Sequence, residues 1–245
     1  MTNKSEIARI QCERTAKEYY AFRMKGGTAN DLVEIPAMKK LIGEVSGKEV
    51  IDCGCGFGTY SIYCAKHGAI IKGLDISDTM IQLAKQEAAK GEAQIDFSVQ
   101  DVTNLSNFPD NSFDVAISSN AVCFDMFLFF KEVSRILKPK GNLYLCEAHP
   151  MMNSKYGCYF ERGLRTAKNV FGKLNMSDPD YEWQWEHYPL KDYFSWLKEA
   201  GFSVDTFLEP EPDPSTKQLN PDLYKQAVKT PIFFLIKAIK EEVRA

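Results

Sequence analysis

Three glycines at alternate positions, Gly54, Gly56 and Gly58, follow directly on the short apolar run Glu49-Val50-Ile51-Asp52-Cys53, and a helical stretch begins at Thr59. Strand, glycine turn and helix in immediate succession constrain the fold more than any other feature of the chain. A chain that leaves a buried strand through such a turn becomes the first half of a β-α-β crossover, and crossovers of that kind build a parallel sheet with helices on its faces. Ligands of such sheets bind beyond the carboxyl ends of the strands, where the strand order reverses.

The alternation continues as the fold requires. Apolar strands are expected at Ala69 to Asp75, Ile95 to Val99, Phe113 to Ser119 and Asn142 to Ala148. Helices are expected at Thr59 to Lys66, from the cap Ser77-Asp78 to Lys90, and at Phe127 to Leu137, the last stopped by Pro139 and Gly141. Upstream, Ser5 to Tyr20 and Leu32 to Val45 have helical spacing, with the glycine-containing loop Lys25 to Asn30 between them. Between Pro150 and Tyr188 the alternation fails; Tyr156, Tyr159, Phe160, Tyr181, Trp183, Trp185 and Tyr188 crowd this stretch, which reads as a cap. A helix at Lys191 to Glu199, a strand at Phe202 to Leu208, a proline-rich loop at Glu209 to Pro221 and a strand at Ile232 to Ile239 complete the chain. The expected fold is α/β: a doubly wound, mostly parallel seven-stranded sheet, Rossmann-like, with an antiparallel hairpin at its C-terminal edge. Its parts are a helical lid (1–45), a ligand-binding core (46–149), a cap inserted after the fifth strand (150–188) and a C-terminal completion of the sheet (189–245).

A glycine loop followed about twenty residues later by a strand-ending carboxylate, Asp75, suits any ribose-bearing cofactor, because the carboxylate accepts both hydroxyls. Two details discriminate. The third glycine comes one residue earlier than dinucleotide-binding loops have it, and Asp52 precedes Gly54 by two. A carboxylate aimed into the loop repels a pyrophosphate and attracts the ammonium of a methionine tail. Gly54, Cys55 and Gly56 are then expected to approach the ligand closely. Ile76 and Met80 follow the second strand, Met80 packing on the adenine. Asp101 accepts from the adenine amino group with Val102 behind the ring, and Ser119 and Asn120 leave the fourth strand near a sulfonium. Plainer readings stand beside these: Asp52 as a cap of the turn, Asp75 as a helix-initiating carboxylate, Asp101 as a turn residue, and Cys53 and Cys55 as small fillers of the tight turn rather than ligands of a metal, for which no Cys/His partner pair lies nearby.

The run Val50-Ile51-Asp52-Cys53-Gly54-Cys55-Gly56-Phe57-Gly58 resembles the first motif of class I S-adenosylmethionine-dependent methyltransferases. Leu74-Asp75-Ile76-Ser77 resembles their acidic second motif; Phe113-Asp114-Val115 and Leu137-Lys138-Pro139-Lys140-Gly141 resemble those around their fourth and fifth strands. The likeness covers about Lys48 to Ala148, and more weakly Asn30 to Pro36 and the C-terminal strands point to the small-molecule branch of the family. It implies S-adenosyl-L-methionine as cofactor and, from the family's N-terminal helices, Tyr19, Tyr20 and Arg23 as its cover.

Methyl transfer from a sulfonium is an in-line displacement that needs alignment and the exclusion of water, and a base only where the acceptor carries a departing proton. The chain has three histidines. His67 sits at a helix end; His149, after the fifth strand, and His187, in the cap, are the candidate bases, each equally readable as a loop-orienting residue. The cap aromatics are either a substrate wall or ordinary packing. A net charge of −3 with no basic cluster disfavours nucleic acid, and the turn Ser118-Ser119-Asn120-Ala121 lacks the sequence a base-modifying enzyme would carry. The N-terminus has no apolar core of a secretory signal, and Ile232 to Ile239 is too short to cross a bilayer. Seven scattered cysteines fit reduced thiols and a cytoplasmic setting. A small-molecule acceptor is therefore expected, with no membrane or nucleic-acid partner. The competing readings are a methyltransferase of protein or RNA, a nicotinamide-dependent reductase, and a SAM-binding module without catalysis.

Overall fold

A computed structural model describes residues 3–152, 158–168 and 181–242. Helix α1 (Asn3–Arg23), a π-helical turn (Asn30–Glu34) and α2 (Ile35–Ile42) precede β1 (Glu49–Cys53), α3 (Thr59–Lys66), β2 (Ile70–Asp75), α4 (Asp78–Lys90), β3 (Asp96–Val99), β4 (Phe113–Ser119), α5 (Met126–Ile136) and β5 (Leu137–Ala148). The hairpin β6 (Gly163–Lys168) and β7 (Glu182–His187) follows, then α6 (Leu190–Glu199), β8 (Phe202–Leu208), the short α7 (Thr216–Leu219) and α8 (Pro221–Ala227), and β9 (Phe233–Lys240). The main sheet has seven strands in the order β3-β2-β1-β4-β5-β9-β8. The first five are parallel, and β9 runs antiparallel to both β5 and β8. The order reverses at β1, which lies between β2 and β4, so the switch point opens at the glycine loop.

Alternation along the strands feeds two cores. Val50, Val115 and Ile117 point to one face, against Met38, Tyr60 and Cys64 of the helices there. Ile51, Cys53 and Ala116 point to the other, against Phe129, Phe130 and Val133 of α5 and Tyr193 and Leu197 of α6. The buried positions of α5, Met126, Phe129, Phe130, Val133 and Ile136, repeat at three and four residues, which turns one stripe to the sheet.

Several boundaries differ from the sequence reading. Strand β5 begins at Leu137, because Phe113 pairs with Leu137 and the register then slips so that Val115 meets Asn142; Pro139 and Gly141 sit in this irregular stretch rather than ending a helix ahead of it. The expected second helix is a π turn followed by α2, which stops at Gly43 (φ 63°). Within the expected proline loop lies one turn of helix, and α8 starts at its end: the Asn220 side chain accepts from the Leu223 amide (3.1 Å), with Pro221 at the first helical position. Tyr156 lies outside the described residues.

Candidate cofactor and acceptor site

The glycine loop is held by its own amides. Gly54 and Cys55 both donate to the Leu74 carbonyl (2.7 Å each), Gly58 donates to the Cys55 carbonyl (2.9 Å) and Gly56 to Asp75 Oδ2 (2.9 Å). Amides spent in this way do not make a phosphate cradle. Nor does the N-terminus of α3 offer one. Asp52, 1% exposed, accepts from Ser61 Oγ (2.6 Å) and from the Ser61 amide, so a carboxylate already occupies the first turn. The loop is thus built against a pyrophosphate, as the sequence suggested, but Asp52 achieves this from below: it is not among the residues lining the cavity.

Burial pushes the Asp52 carboxyl from its ordinary 3.8 up to about 7, despite the hydrogen bonds from Ser61. Between those values the folded protein holds a proton that the unfolded chain releases, so this group's contribution to stability falls as pH rises across that window and is level above it. Asp52→Asn is expected to flatten the decline of melting temperature between about pH 5 and about pH 8 and to stabilise the protein at the upper end by ~1–2 kcal/mol. Thermal melts across that range read both effects.

The cavity above the loop, of about 190 Å³, brings most of the nominated residues together. Gly54, Cys55, Gly56, Asp75, Ile76, Met80, Asp101, Val102, Ser119 and Arg23 all line it. Asp75 is 8% exposed; its Oδ2 accepts from Gly56 and its Oδ1 from the Ser77 amide (2.9 Å). A Cβ on Gly56 would meet nothing within 4 Å, so the loop presents open space to a ligand there. Asp101 Oδ1 takes the amide and hydroxyl of Thr103 (2.9 and 2.7 Å), the turn role set beside its ligand role. Arg23, 9% exposed, donates to the Tyr19 hydroxyl (2.8 Å) and to Asp31 (3.1 Å), and its buried Nε has no partner among the described residues. Tyr20 is not in the wall: its ring packs edge-on to Phe57 and its hydroxyl reaches Glu87 of α4, so it fastens α1 to the core.

The roof is one stripe of α1. Lys4, Ser5, Ala8, Cys12, Thr15, Tyr19 and Arg23, spaced at three and four residues, face the cavity. The face is largely polar, and its spacing was readable in the sequence; Tyr19, Tyr20 and Arg23 were expected there from the family resemblance instead, and of these Tyr19 and Arg23 lie on it. The helix is tied down on three sides. Glu13 accepts from Ser77 Oγ (2.6 Å) and from Thr79 at the start of α4, Gln11 pairs with the backbone of Gln184 in β7 (2.9 and 3.2 Å), and Lys4 meets Asp125 (2.6 Å) and Glu186 (2.9 Å). Residues 119–125, running out of β4, form the opposite wall, with left-handed backbone at Asn120 (φ 51°) and Asp125 (φ 56°) and the Cys123 carbonyl bonded to the Glu186 amide (2.8 Å). Glu34, Tyr60, Asn30 and Gln100 also line the cavity and were not nominated.

The two candidate bases do not reach it. His149, 3% exposed, accepts at Nδ1 from the Met151 amide (3.2 Å) and sets Nε2 3.0 Å from Glu209, packed edge-on to Phe234. Burial lowers its pKa. His187, 2% exposed, has Nε2 2.9 Å from the Tyr159 carbonyl. Neither is among the described wall residues, because the chain after β5 turns toward β9, where the His149 amide bonds to the Ile232 carbonyl, instead of over the cavity. His149→Gln is expected to leave turnover within about threefold of wild type while costing ~1–2 kcal/mol of stability through its buried hydrogen bonds; steady-state kinetics beside a denaturant melt check it. Of the cap aromatics, Trp183 alone among those described lines the cavity. Tyr188 packs on Trp196 and Tyr193, Tyr159 on Phe160, and Arg14 covers Tyr181.

Residues 51–145 match the family model described as a methyltransferase domain. Over 178 residues, 66% of this chain and 70% of the relative, the sequence is 31% identical to a demethylmenaquinone methyltransferase of Tropheryma whipplei. Over 139 residues, 56% of this chain and 57% of the relative, it is 30% identical to a ubiquinone biosynthesis O-methyltransferase of Coxiella burnetii. Among solved structures, an S-adenosylmethionine-dependent methyltransferase of Mesorhizobium loti superposes with a TM-score of 0.70 at 26% identity, covering 84% of this chain and 97% of that one.

Proposed function

This chain belongs to the class I S-adenosylmethionine-dependent methyltransferases, and we propose that it methylates a small, ring-bearing acceptor held beneath α1. The observation that carries the reading is the mixed lining of the cavity: beside the glycine loop and its carboxylates, Ala8, Cys12, Val122, Cys123, Phe124 and Trp183 contribute apolar and aromatic surface. The half-buried Cys12 thiol, hydrogen-bonded to Cys123, is pushed well above its ordinary pKa, so it serves as a soft, uncharged surface. Aromatic surface beside a neutral thiol suits a flat ring. The likeness to two enzymes named for quinone substrates supports the same class.

The bound cofactor supplies an electrophilic methyl group on a sulfonium. The residues that hold it are assigned as follows: Asp75 to the ribose hydroxyls, Ile76, Met80 and Val102 to the faces of the adenine, Asp101 to its amino group, and Arg23 with Tyr19 to the carboxylate. Residues 119–125 and α1 orient the acceptor and keep water out, α1 acting as the lid and β6–β7 as the described part of the cap. With no imidazole at the described wall, the reading favours an acceptor whose own acidity supplies the anion, as in a phenol or hydroquinone. Free cysteines, four of them buried, favour a reducing, cytoplasmic setting; among the described residues no helix is long and apolar enough to cross a membrane.

Incubation with methyl-labelled S-adenosylmethionine and parallel panels of hydroquinones and phenols, peptides, and RNA tests the reading. Label is expected in ring acceptors, with products heavier by one methylene. Label confined to peptide or RNA would overturn it.

A further inference from the structure

Glu34 is the most buried carboxylate lining the cavity after the roles above are assigned, at 2% exposed. Three neutral donors surround it. Ser119 Oγ (2.6 Å) and the Tyr60 hydroxyl donate to Oε1, and Asn30 Nδ2 donates to Oε2 (2.8 Å). Burial and the Glu34 charge push the Tyr60 phenol well above its ordinary pKa, which keeps it a donor. No cation lies within ion-pair distance of Glu34 among the described residues, and a carboxylate has room for about four hydrogen bonds. A charge buried in this way without a counter-ion is costly, and a ligand cation that arrives with its own N–H groups removes the cost.

The complementary charge lines the same cavity, on α1, where Arg23 is ion-paired to Asp31 (3.1 Å). Arg23 carries a buried donor with no partner, and it lines the cavity with Tyr19, Asn30 and Glu34. A cation and an anion lining one cavity are the complement of a zwitterion. Asp52, the residue whose sequence position suited the ammonium, is committed to the first turn of α3. We infer that Glu34, aligned by Ser119, Tyr60 and Asn30, receives the α-ammonium of the cofactor's methionine tail, opposite Arg23. The inference rests on S-adenosylmethionine as the ligand.

The test compares S-adenosylhomocysteine with its desamino analogue, in which hydrogen replaces the ammonium, by titration calorimetry on wild type and Glu34→Gln. Wild type is expected to bind the desamino compound more weakly by about tenfold to a hundredfold, the range for a hydrogen-bonded charge. In Glu34→Gln that ratio should fall below about threefold, because the amine has lost its partner, while Asp52→Asn keeps the full ratio. A ratio unchanged in Glu34→Gln, or one that collapses in Asp52→Asn instead, overturns the assignment. Should Glu34→Gln fail to fold, Glu34→Asp carries the same comparison, with a partial drop expected and an unchanged ratio overturning it. Wild type that binds neither compound would sink the cofactor reading itself, an outcome distinct from binding that ignores the amine.

Discussion

Asp75→Ala is expected to weaken S-adenosylhomocysteine binding by about a hundredfold, on the scale of two lost charge-assisted contacts. The side chain does two things at once. It fixes the loop by accepting from Gly56 and fixes the entry to α4 by accepting from Ser77, and it lines the cavity where the ribose is assigned. Removing it leaves two buried amides unpaired as well as the ligand contact. Burial pushes its carboxyl from 3.8 up to about 6, with the Glu13 charge adding to the effect. The ionised form is the acceptor of ribose hydroxyls, so affinity should be level above about pH 6 and fall as pH drops below it. The linkage to folding has the opposite sense: the ligand-free protein gains stability from this group as pH falls from about 6 toward 3.8, because the folded state holds the extra proton. The ligand-induced rise in melting temperature should therefore shrink on acidification even while the ligand-free protein holds firm. Calorimetry and paired melts over that range read the two opposing trends, and Asp75→Asn should remove the pH dependence of binding along with most of the affinity.

Gly54→Ala and Gly56→Ala should separate folding from binding, although the residues are two apart in one loop. A Cβ on Gly54 would lie 2.1 Å from Ala121 Cβ, on a backbone with φ 79°. Overpacking against the exit of β4 adds to left-handed strain, for a cost of about 3 kcal/mol or more. Gly56 has φ 54° but no neighbour within 4 Å of the added atom. Its alanine variant should lose only about 1 kcal/mol of stability, while the methyl intrudes on the ligand. Soluble Gly56→Ala with wild-type-like melting and more than about tenfold weaker binding, beside a Gly54→Ala protein that melts early, is the expected pair. A Gly56→Ala protein that binds normally would mean that the ligand does not approach the loop.

Strands and the switch point were legible because each depends on local pattern: apolar alternation, a glycine turn, a carboxylate closing the next strand. That Asp75, Gly54 and Gly56 line the cavity could be read in this way, since their positions follow from the strand ends and the turn. Side chains whose duty is decided by distant elements could not. Asp52 has the position of an ammonium acceptor, yet Ser61, on the following helix, claims it. His149 follows β5, as a pocket residue would, yet β9 draws that turn aside. Glu34 stands in a π turn, and its partners are Tyr60 and Ser119, far along the chain. Helix α8 departs from the expected loop for a different reason: its signal, Asn220 before Pro221, is present in the sequence but lies among prolines that together favour a loop.

The serine, glutamine, threonine and arginine buried along α1 have a consequence for how the protein withstands proteolysis. A roof that packs little hydrocarbon onto the core gains much of its cohesion from what lies beneath it. A ligand that binds only the closed form adds about 1.4 kcal/mol for every tenfold by which its concentration exceeds its Kd. A bound donor is therefore expected to shield α1 from limited proteolysis, and cleavage of α1 at equal rates with and without S-adenosylmethionine would show that the ligand lends it nothing.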